Sequence, residues 1–128
     1  MDWVVVVDSV GDSSKIASGA IRDTKNPRDI LLAKEACKVI VNSGYFKEGF
    51  SFQTGAGGAS LAVADYVKRI MLKRNIKGSF ALGGITGYMV DMLEAGCFQA
   101  IQDVQCFDLR AVQSIRENPK HMEITAAQ

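Results

Sequence analysis

The sequence has little of what marks a specialised class of protein. Its 128 residues include 3 cysteines, 2 prolines, 1 histidine and 1 tryptophan. Cys37, Cys97 and Cys106 fall in no CxxC or other paired spacing. An odd number of cysteines cannot close a complete disulfide framework, so the chain is expected in a reducing cytoplasm. With His121 as the only histidine, the usual Cys/His cluster of a metal centre is missing, and no metal is expected. Charge of either sign is not in excess: 15 Lys+Arg face 14 Asp+Glu. The basic residues are scattered, a pattern that offers no footprint to nucleic acid or an anionic membrane. The longest apolar runs, such as Trp3–Val7, are too short to span a bilayer. No basic leader with an apolar stretch and cleavage site opens the sequence, so secretion is not expected.

What is present is an ordinary globular composition, 48% hydrophobic and 23% charged. A chain of this length can bury about two-thirds of the surface it exposes unfolded. Short apolar runs alternate with longer segments at helical spacing. Trp3–Asp8 is β-branched and apolar on both faces, which predicts a central strand, and Asp8–Ser18 predicts a loop. The best-marked helix has Asn26 as N-cap, Pro27 at its first position and Asp29 in its first turn. Ile30, Ala33, Cys37 and Ile40 share one face, and Gly44 supplies a left-handed stop. Phe50–Gln53 predicts a short strand, Thr54–Gly58 a glycine turn, and Ala59–Arg74 a helix with Val63, Ala64, Val67, Ile70 and Met71 on one side. Ser79–Leu82 predicts a third strand and Gly83–Gly84 a second turn, after which Thr86 caps a helix to Ala95 that Gly96 ends. Val104–Phe107 predicts a fourth strand, and Asp108 caps a helix through Arg116 that Asn118 and Pro119 stop. The tail from Lys120 carries weak periodicity. Alternating strands and helices predict the α/β class, a mostly parallel sheet flanked by helices, as a single domain over residues 1–128.

In open parallel sheets ligands gather beyond the carboxyl ends of the strands. Two glycine corners run there from strand into helix. Gln53, Thr54, Gly55, Ala56, Gly57 and Gly58 form the first, and Gly83, Gly84 and Thr86 the second. Glycine lets backbone approach a ligand, and the free N–H groups of a helix start can hold an anion or a developing oxyanion. The alternative, a tight turn with no ligand, stands for both corners. A dinucleotide loop fits worse: Gly55-x-Gly57-x-x-Ser60 misses the third small position, and no acidic residue follows the next strand. Without a GK[ST] the P-loop is excluded. Asp8 and Asp12 are expected to cap a loop, Cys106 to be an inert thiol, Asp91 and Glu94 to form a solvated face, and His121 to be exposed. Lys73, Arg74 and Lys77 suit a helix end. Arg22, Arg28, Arg69, Arg74, Arg110 and Arg116 are arginine candidates for a carboxylate ligand, each equally at home on an exposed face.

At Gly49–Val63 and Lys77–Asp91, and again at Asp103–Asp108 and Val4–Asp12, the sequence resembles the citrate lyase alpha chain, and the resemblance covers nearly all 128 residues. It implies a CoA-transferase-like, Rossmann-like three-layer fold. It implies a subunit that exchanges the acetyl group on an acyl-carrier gamma subunit for citrate, releasing acetate and forming citryl thioester. The arm of the carrier, a phosphoribosyl dephospho-CoA group, would enter as substrate with no cofactor bound to this chain. A beta subunit would then cleave the citryl thioester within a cytoplasmic complex. Family members are several times longer, so these residues are expected to be an internal segment of a two-domain transferase subunit and inactive alone. The corner residues, Gln53–Gly58 with Gly83, Gly84 and Thr86, are then the expected contacts of the thioester arm. Related transferases carry a nucleophilic glutamate in a turn that aligns with Leu82–Thr86. Ser79–Val90 has no glutamate, which favours direct attack by a citrate carboxylate and leaves no catalytic residue assigned. The other readings are a structural, subunit-contact segment and a small anion- or nucleotide-binding module.

Overall fold

A computed structural model of the chain describes residues 3–12 and 24–125. Arg22, residues 13–18 of the expected loop and the last three residues of the tail lie outside the described residues. The elements are α1 (Pro27–Asn42), α2 (Gly58–Arg74), β1 (Gly78–Ile85), α3 (Gly87–Glu94), β2 (Phe98–Cys106), α4 (Leu109–Glu117) and β3 (His121–Glu123). The class is α/β: β1, β2 and β3 form a parallel sheet in that order, flanked by helices.

Local signals place the helix ends. The Asn26 side chain accepts a 3.0 Å hydrogen bond from the Arg28 N–H, and Pro27 opens α1. Gly44 follows the last turn with φ +82°, the left-handed stop its position requires. Ala33 and Cys37 are buried and α1 packs against α2, while Leu31, Leu32 and Val39 face outward. On α2, Leu61, Ala64, Val67 and Met71 are buried, the last three in one core cluster with Ala81 and Ile85 of β1, and Asn75 rather than a glycine takes the left-handed C-cap. Phe50 and Phe52 join Phe46 and Phe98 in an aromatic cluster at the amino end of β1.

Four strand expectations change. Trp3–Asp8 is not a strand: residues 3–7 are exposed, and among the described residues no backbone partner forms a ladder with them. A strand is stable only with a neighbour, and the described residues provide none. Phe50–Gln53 contracts to a single bridge, Phe52 with Ala81, although Phe52 N donates to Phe80 O and Phe52 O accepts from Leu82 N along the β1 edge. Gly83 and Gly84 are not a turn, because β1 continues through them to Ile85. They sit at a β-bulge: Gly83 pairs with Asp103 and Gly84 with Gln105, so Val104 is the extra residue on β2. Gly83 takes φ +119°, where a side chain is rarely tolerated. Finally, β2 begins at Phe98 rather than Val104, and β3 adds a strand in the tail.

Candidate functional site

The two glycine corners meet on one rim, at the carboxyl ends of the Phe52 segment and of β1. Their contact is direct, for the Gln53 side chain lies over Gly83, where an added Cβ would stand 3.1 Å from Gln53 Cγ. The corners are nevertheless unequal.

The first is open. Thr54 Oγ1 donates to Ser60 O at 3.1 Å and fixes the loop shape. Gly55 sits against the Ser60 hydroxyl, 3.2 Å from where its Cβ would be. Gly57 is the N-cap of α2, so no side chain caps this helix. Gln53, Gly55 and Gly57 are exposed, while Thr54, Ala56 and Gly58 are half-buried. A Cβ at Gly57 would meet nothing within 4 Å. The first-turn N–H groups of α2 thus have no side-chain cap, with the helix dipole favouring negative charge.

The second corner is filled by the chain itself. The Phe107 ring covers Gly84, and Gln53 covers Gly83. Thr86 does stand at the N-cap of α3, but its side chain makes no capping bond. Thr86 is 1% exposed, and its hydroxyl has no hydrogen-bond partner. The capping role expected of it belongs to Asp108, whose Oδ2 accepts from Gly87 N at 2.6 Å. The other oxygen of Asp108 accepts from Ala111 N at 2.8 Å at the start of α4. One buried carboxylate therefore serves two helix starts, and the anion site of α3 already holds an anion.

His121 is corrected most sharply. Expected at the surface, it is 3% exposed, with Nδ1 2.9 Å from Ser114 Oγ and Nε2 3.2 Å from Asp103 Oδ2. Asp103 is 1% exposed and also accepts from Gln105 N at 2.7 Å and from Cys106 Sγ at 2.9 Å. The Ser–His–Asp order is that of a hydrolase triad. Here, though, the serine is buried inside α4 and its hydroxyl faces packed protein, so the network joins β2, β3 and α4 rather than meeting a substrate. Sequence spacing gave no hint of it, since Asp103 follows Gln102 in a segment that also carries Gln99 and Gln105.

Cys106 is held as a thiol. Burial, then the hydrogen bond to Asp103, then the negative charges of Asp103, Asp108 and Glu123 push its pKa up to about 12. Burial also raises Cys37 and Cys97, the latter opposed by Lys68. At pH 8 a pKa of about 12 leaves roughly one Cys106 in ten thousand ionised, against roughly one in ten at the ordinary 9.0, so iodoacetamide is expected to label it about 1,000-fold more slowly in the folded chain than in urea. Equal rates by mass spectrometry would contradict this. The sign for stability follows: the folded pKa lies above the ordinary 9.0, so the contribution is complete below about pH 9 and is lost as pH rises toward 12.

Of the remaining candidates, Arg110 stands beside the second corner, its Cβ and Cγ 2.9 Å from where a Gly87 Cβ would be; the others are paired or exposed elsewhere. Arg69 pairs with Asp65 at 2.6 Å and lies over the Tyr66 ring. Arg110 pairs with Glu94 at 2.6 Å and Asp91 at 3.5 Å, so the expected solvated acidic face is a surface ion pair of small energetic weight. Arg28, Arg74, Arg116, Lys73 and Lys77 are exposed, as is Asp8. No group of three metal-ligating side chains occurs among the described residues. No helix there is long and apolar enough to cross a membrane.

Comparison with known proteins agrees along the whole chain. The family model "citrate lyase, alpha subunit (CitF)" matches residues 1–128. Citrate lyase alpha chains of Escherichia coli K12 and Klebsiella pneumoniae are 56% and 53% identical over all 128 residues. In both cases the chain spans 25% of the relative. A solved structure described as the alpha subunit of citrate lyase in complex with citrate, from Streptococcus mutans, superposes with a TM-score of 0.87 at 55% identity. It is matched over 98% of this chain and 25% of its own. The match to the family model from end to end, at this identity, means that the chain belongs to the citrate lyase alpha-subunit family.

Proposed function

We propose that this chain is part of a subunit that transfers an acyl-carrier thioester from acetate to citrate, and that the α2 corner, Gln53–Gly58, receives the reacting thioester. The observation that carries the reading is the uncapped start of α2 behind exposed Gly55 and Gly57. A relative of similar sequence has been solved with citrate, which supports citrate as the acceptor. The carrier subunit's phosphoribosyl dephospho-CoA arm is the other substrate, and the beta and gamma subunits of citrate lyase are the partners.

With no glutamate in Ser79–Val90, the reaction proceeds between substrates. A citrate carboxylate oxygen attacks the acetyl thioester carbonyl, and the C–S bond breaks to give a mixed anhydride and the carrier thiolate. The thiolate then attacks the citryl carbonyl, forming citryl thioester and releasing acetate. Each addition places negative charge on a carbonyl oxygen, which N–H groups at the start of α2 are oriented to stabilise. Gly83, Gly84 and Thr86 act by shaping the wall, since Gln53 covers Gly83, Phe107 covers Gly84 and Thr86 is buried.

Gly57→Val tests this in the full-length subunit. A Cβ there meets nothing within 4 Å among the described residues, so the melting temperature is expected to change little. Obstruction of the corner is expected to lower kcat/KM for acetyl-carrier and citrate by about 10-fold or more. Full activity in a folded variant would return the corner to a plain turn.

A further inference from the structure

We infer that Trp3–Val7 is a central strand of a sheet whose neighbouring strands come from the part of the alpha-subunit chain outside these 128 residues. Trp3 and four consecutive valines are 90%, 75%, 80%, 93% and 53% exposed. Branching at Cβ favours extended backbone for such a run. In that conformation Val4 and Val6 point to one face while Trp3, Val5 and Val7 point to the other, so neither face is suited to water. A strand on a sheet surface alternates with polar residues. A run apolar on both faces belongs inside a parallel sheet with helices on either side.

Among the described residues, the sheet has no interior slot for it. One flank of β1 is taken by the Phe52 segment, and the far edge is β3, only 3 residues long, with Met122 and Glu123 exposed. Among the described residues, no backbone hydrogen bond joins residues 3–7 to another segment. The same shortage argues against a second copy as the partner, because an identical sheet offers no slot either. The family's longer chain does supply material: the matched span is 25% of each relative, leaving about three quarters for neighbouring strands and covering helices. This inference does not depend on the transferase reading, since it concerns assembly of the subunit rather than its chemistry.

Hydrogen exchange on the full-length subunit tests it. The amides of Val4 to Val7 are expected to exchange roughly 100-fold or more slowly than in an unstructured peptide of the same sequence. Val5→Lys and Val6→Lys, which point to opposite faces, are each expected to lower the melting temperature of the subunit. Exchange at the peptide rate would overturn the inference, as would a neutral lysine on either face. Protection that disappears on dilution of the subunit would assign the cover to a second copy and overturn it equally.

Discussion

His121→Ala is expected to destabilise the fold by about 3 kcal/mol, because it opens a cavity and deprives a buried carboxylate of a partner at once. Asp103, 1% exposed, would keep only Gln105 N and the Cys106 thiol, and Ser114 Oγ would lose its contact in a site water does not reach. Ser114→Ala removes one neutral hydrogen bond and is expected to cost about 1 kcal/mol. The double variant should lose less than the sum, since both changes dismantle one network. Urea unfolding of the single and double variants measures all three values. A loss below about 1 kcal/mol for His121→Ala would show that the network contributes little beyond filling space.

Gly78→Ala is expected to be as damaging, at about 3 kcal/mol, through overpacking rather than loss. A methyl group there would collide with the Phe98 ring on one side and stand 2.8 Å from the Phe50 carbonyl oxygen on the other. The carbonyl cannot retreat, because Phe50 O accepts the Ser79 N–H at 2.8 Å. The ring has little freedom either, stacked on Phe52 with centroids 6.3 Å apart and packed against Phe50 at 5.9 Å. Thermal unfolding followed by circular dichroism provides the measurement, with Gly57→Ala as the matched control at a glycine that has open space. Equal melting temperatures for the two variants would mean that the aromatic cluster yields easily.

Whatever depended on a few neighbouring residues was legible in the sequence. The Asn26–Pro27 start of α1, the Asp108 cap of α4 and the glycine stops at Gly44 and Gly96 all follow from local chemistry, and the structure places them as expected. Parallel α/β architecture followed from the alternation of elements. What depended on distant partners was not legible. A glycine pair reads the same whether it makes a turn or, as at Gly83–Gly84, a bulge set by the strand alongside. Trp3–Asp8 reads as a strand because its side chains suit one, yet the ladder must come from elsewhere. His121 reads as exposed because its partners lie 7 and 18 residues away. At the candidate site the rim itself was foreseeable. Its asymmetry was not, since Phe107 and Asp108 arrive from the following βα unit.

Asp108 gives that asymmetry a thermodynamic meaning. Its carboxylate is tethered to the chain beside Gly87, so a free anion approaching α3 would compete with a rival already held in place. Carboxylates and phosphates would meet an occupied helix start there, whereas the neighbouring α2 has no side-chain cap; the proposed function turns on that difference. A single side chain thereby makes two adjacent helix starts chemically unlike.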